Sequence, residues 1–74
     1  MQDFKINVGE IEELQTIRDI ESLNRIFEKA QRTIVGGALV ILERTNANGS
    51  SDKFDEISTE QDLKQYKTGV YKYL

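Results

Sequence analysis

A chain of 74 residues can enclose one modest apolar core and no second, so residues 1–74 are expected to form a single small domain. Apolar residues at 38% and charged residues at 31% exclude the apolar-poor, highly charged makeup of disordered chains. There is no Cys and no His, which excludes disulfides, thiolate metal sites and every Ser-His or Cys-His catalytic pair, and the net charge of −3 disfavours non-specific adhesion to nucleic acid or anionic membrane.

Carboxylates, Lys, Tyr and hydroxyl side chains remain for catalysis, and they act only where burial or neighbouring charge retunes them. No catalytic, cofactor-binding or metal-binding set is readable, so the chain is read as non-enzymatic, with no cofactor. The opening Met1-Gln2-Asp3-Phe4-Lys5 lacks a basic region followed by an apolar run, and no stretch nears the roughly 18 to 20 apolar residues of a membrane span. A cytoplasmic location without membrane association is expected.

Phe4 to Val8 alternates apolar and polar residues, which predicts a strand with Phe4, Ile6 and Val8 on its buried face. Gly9 ends it. From Glu10, Ile11, Leu14, Ile17, Ile20 and Leu23 recur three apart, and on a 3.6-residue helix that spacing turns the stripe by about 60° per step. One straight helix cannot keep such a stripe buried, so a break is expected at Asp19, a good helix-capping residue. Beyond it, Ile20, Leu23, Ile26, Phe27, Ala30 and Ile34 fit a single helical face, with Glu21 and Glu28 each four residues ahead of an Arg. Gly36-Gly37 should end that helix.

Ala38-Leu39-Val40-Ile41-Leu42 is apolar throughout and rich in branched residues, so it is read as a strand whose two faces both need cover. A polar loop from Thr45 to Asp52 contains Asn48-Gly49, a tight-turn pair, and Lys53 to Ile57 follows as a short, charged, peripheral strand. Ser58 and Gln61 have the spacing of a capping box, opening a last helix on which Leu63, Tyr66, Val70, Tyr73 and Leu74 form the apolar stripe; Gly69 weakens it.

The order strand, helix, strand, strand, helix predicts a two-layer α+β domain: an antiparallel or mixed sheet of about three strands with helices on one face. The other face would then leave large aliphatic groups uncovered. A homodimer is the expected remedy, with Leu39, Val40, Ile41 and Leu42 as candidate self-association residues. Tyr66, Tyr71, Lys72 and Tyr73 form a candidate surface for an unidentified protein partner, where cations and aromatics interleave. Arg18, Arg25, Lys29 and Arg32, at intervals of seven, four and three, form a candidate nucleic-acid surface; the plainer reading is a solvated helix face paired with Glu21 and Glu28. Gly36-Gly37 follows a helix rather than preceding one, so it is not a phosphate loop. The expected function is a homodimeric adaptor or regulator, and the alternative is a small nucleic-acid-associated regulator.

Overall fold

The computed structural model describes residues 2–72 and 74. The alternating amino-terminal segment forms β1 (Phe4–Asn7) and runs straight into α1 (Val8–Thr16). Val8 thus opens the helix instead of closing the strand. The cause is local: the Asn7 side chain accepts a hydrogen bond from the Gly9 N–H at 2.9 Å and caps the helix two residues before the expected start.

The break before residue 20 is built from two motifs back to back. At the end of α1 the Asp19 N–H bonds Leu14 O and the Arg18 N–H bonds Gln15 O, the paired closure of a Schellman turn, with Arg18 left-handed at φ 54. Asp19 then caps α2 (Ile20–Val35) through the Ser22 N–H at 3.0 Å. Ile17 and Ile20 are both turned outward, at 63% and 49% exposed, as the drifting stripe requires. Leu23, Phe27, Ala30, Thr33 and Ile34 form the buried face of α2. The helix closes with a second Schellman turn, in which the Ala38 N–H meets Thr33 O and the Gly37 N–H meets Ile34 O; Gly37 supplies φ 91.

The apolar run enters β2 (Val40–Thr45), which turns through Asn46 to Ser50, with Gly49 at φ 88, into β3 (Ser51–Ile57). The last helix, α3 (Glu60–Tyr71), is capped by Thr59, not Ser58: the extended Thr59 presents its Oγ1 to the Asp62 N–H at 3.1 Å. Gly69 lies within α3 and does not end it.

The sheet is mixed, in the order β1-β2-β3, with β1 parallel to β2 and β2 antiparallel to β3. Its inner face carries Ile6, Val40, Leu42 and Ile57, which meet Ile11 of α1, Leu23, Phe27, Ala30 and Ile34 of α2, and Leu63 and Val70 of α3 in one core. All three helices therefore lie on the same side. The shortest molecular dimension, 17 Å, matches one helical layer on one sheet.

Candidate functional site

The uncovered side of the sheet follows from strand alternation. Because Val40 and Leu42 point into the core, Leu39 and Ile41 point the other way, where no helix among the described residues lies. The four candidate self-association residues thus divide. Val40 and Leu42 are 0% and 3% exposed and belong to the interior, whereas Leu39 and Ile41 are half-buried on the open face.

Register sets what surrounds them. Ile41 stands between Lys5 on β1 and Glu56 on β3, and Glu43 stands between Asn7 and Lys53. Simple alternation would put Lys53 and Glu56 on opposite faces. A register shift beside Leu42 and Glu43 leaves Phe54 as an extra residue on β3, and this bulge lets Lys53 Nζ reach Glu56 Oε2 at 2.7 Å. Phe54 is left 58% exposed. The open face therefore sets Ile41 between the Lys5 cation on its β1 flank and, on its β3 flank, a Glu56 carboxylate paired with Lys53.

Two residues of the candidate partner surface, Tyr66 and Tyr71, are half-buried. The Tyr66 and Tyr71 rings each pack against Phe27 with centroids 5.8 Å away, and the Tyr71 hydroxyl donates to Asn24 Oδ1. Burial pushes both phenols up from their ordinary pKa. Tyr71, which the heptad-like stripe did not use, thus belongs to the packing of Phe27, and Lys67 Nζ sits 5.5 Å over its ring. Lys72 is exposed, and Tyr73 lies outside the described residues.

The basic stripe does not form one helical face. Arg18 sits in the turn between α1 and α2, displaced by its left-handed backbone, while Arg25, Lys29 and Arg32 remain exposed on α2. The expected pairs of Glu21 with Arg25 and Glu28 with Arg32 are not made. Arg25 turns instead to Ser22 Oγ at 3.3 Å, and the ion pairs among the described residues are Glu12 with Arg44 at 2.6 Å and Lys53 with Glu56. Arg44 holds the Glu12 carboxyl below the usual carboxylate range, by hydrogen bond first and charge second; the Ser22 N–H and hydroxyl do the same for Asp19. Each of these shifted carboxylates has a structural partner.

One feature was not legible in the sequence. Phe4, Lys5 and Ile6 on β1, Glu10 on α1, and Arg25, Ile26 and Lys29 on α2 line a groove of about 290 Å³, with Lys29 Nζ 4.6 Å over the Phe4 ring. Lys5 and Lys29 are 24 positions apart, and nothing local announces that β1 and α2 are neighbours. Among the described residues no group of three or more acidic side chains is placed to hold a metal, and no helix is long and apolar enough to cross a membrane. Compared with protein-family models, curated proteins and solved structures, the chain matches none.

Proposed function

We propose that this protein is a non-enzymatic interaction module, an adaptor or regulator that pairs with a second copy of itself through the open face of its sheet. The observation that carries this reading is the flanking of Ile41 by Lys5 and Glu56 on a face without helices. A two-fold axis running along β2 between two facing sheets lays Ile41 over Ile41 and brings Lys5 of one copy over Glu56 of the other, twice. Lys5 and Glu56 complement each other across this axis, while Glu43, laid over Glu43, opposes pairing at one end of the face. Full burial of an aliphatic side chain is worth roughly 1.5 to 3 kcal/mol, so completing the cover of Leu39 and Ile41 in both copies gives a small domain a useful share of its stability.

The test is a charge exchange read by sedimentation equilibrium. Lys5→Glu alone and Glu56→Lys alone each set like charges opposite one another and weaken pairing, and the double exchange restores it. Single and double variants that all sediment as the unaltered protein does would contradict the proposed axis.

A further inference from the structure

The edge of β1 offers a second surface, distinct from the open face. β1 pairs with β2 alone. In a parallel ladder alternate residues direct both backbone groups to the same neighbour, and the Phe4 N–H donates to Leu39 O at 2.9 Å. Phe4 and Ile6 therefore bond inward, and the N–H and C=O of Lys5 point out along the free edge. Beside that edge runs the groove walled by α2, with an apolar floor from Phe4, Ile6 and Ile26. Its rim carries two side-chain cations, Arg25 and Lys29, against one carboxylate, Glu10, and neither cation is in an ion pair among the described residues; the Lys5 side chain stands beside Ile41 on the opposite face. In a chain of net charge −3 that is a local reversal of sign.

We propose that the β1 edge takes up an extended acidic segment of another protein as a fourth strand, with its backbone bonded to Lys5 and alternate Glu side chains facing the groove, their methylenes on its apolar floor and their carboxylates on the cationic rim. The free peptide groups define the extended form, and the floor and rim together define long acidic side chains at alternate, groove-facing positions. Four residues of β1 at about 3.3 Å each admit a segment of roughly four residues in contact. The inference rests on the reading of the chain as an interaction module, but it uses the edge of β1 where self-pairing uses the face.

The experiment titrates the isotope-labelled full chain with a blocked seven-residue peptide alternating Glu and Thr, followed by amide resonances. Saturable shifts at Lys5, Asn7, Ile26 and Lys29 are expected, and a peptide alternating Lys and Thr should leave them in place. Arg25→Glu and Lys29→Glu, both at exposed positions, should each weaken binding by about tenfold, since each replaces an attraction by a repulsion at the rim; circular dichroism checks that the fold persists. No saturable change at Lys5 with millimolar acidic peptide, or equal binding of the Lys/Thr peptide, overturns the proposal. So does a single-stranded oligothymidylate that shifts the same amides at lower concentration, which would assign the groove to nucleic acid. Failure here with a dimer still seen by sedimentation removes the edge site and leaves self-pairing standing; a monomer that binds the acidic peptide does the reverse.

Discussion

The two sides of β2 differ by one residue in sequence and by a whole layer in structure. Val40 and Leu42 are sealed beneath three helices, whereas Leu39 and Ile41, just as aliphatic, face away from all of them. Hydrophobicity therefore says that a strand needs cover and not which side its own chain supplies. That choice is made by elements far away in sequence: Phe27 and Leu63 reach the inner face because α2 and α3 both pack there.

The sharpest way to test this contrast is to truncate both sides. Leu42→Ala removes buried methyl groups from a packed core and should cost about 2 to 5 kcal/mol, enough to unfold much of so small a domain. Ile41→Ala, measured by urea denaturation at a concentration low enough to suppress association, should cost less, about 1 to 2 kcal/mol, because Ile41 is only half-buried within one chain. Equal losses at the two sites would erase the distinction between the faces.

A second test concerns the helical layer that covers the inner face. Thr59→Ala deletes the side-chain acceptor for the Asp62 N–H and should lower stability by about 1 kcal/mol, while Ser58→Ala, one residue earlier, should change little. A larger loss at Ser58 would restore the cap to the position first expected from the Ser-x-x-Gln spacing.

Acid should loosen the same layer in a defined direction. Glu12 and Asp19 both have folded pKa values depressed below their unfolded ones, Glu12 by Arg44 and Asp19 by Ser22. Their contributions are therefore complete above the usual carboxylate range and are lost as pH falls through the depressed folded values. Urea midpoints followed from neutral to acid pH should decline less steeply in Glu12→Gln and Asp19→Asn than in the unaltered chain; parallel declines would count against these two groups.

The smallest effect is expected at Arg18, whose left-handed backbone closes α1. Arg18→Gly relieves steric strain of roughly 1 to 2 kcal/mol and gives part of it back, about 0.4 to 1 kcal/mol, as greater freedom of the unfolded chain. A slight rise in thermal midpoint is the predicted result, and a clear fall would show that the Arg side chain has a stabilising contact of its own.

These elements also show what was legible in the sequence. Asp19, Gly36-Gly37 and Asn48-Gly49 mark chain reversals through backbone chemistry that acts within a few residues, and all three reversals occur where expected. The helix starts shifted by one or two residues because Asn7 and Thr59 competed locally with equally suitable neighbours. Non-local pairing was less accessible: the parallel partnership of β1 with β2, the bulge at Phe54, the docking of Tyr66 and Tyr71 on Phe27, and the groove beside β1 depend on contacts between distant segments. The open face lay between these cases. The apolar run announced that two faces needed cover, and only the placement of the helices separated Leu39 and Ile41 from Val40 and Leu42.

The claim on which most depends is that the helix-free side of the sheet is a contact surface. Light scattering at micromolar concentration on the unaltered chain and on Ile41→Glu tests it directly. The account predicts twice the 8.5 kDa chain mass for the first and the single-chain mass for a still-folded second; a single-chain mass for both, or a doubled mass for both, would contradict it.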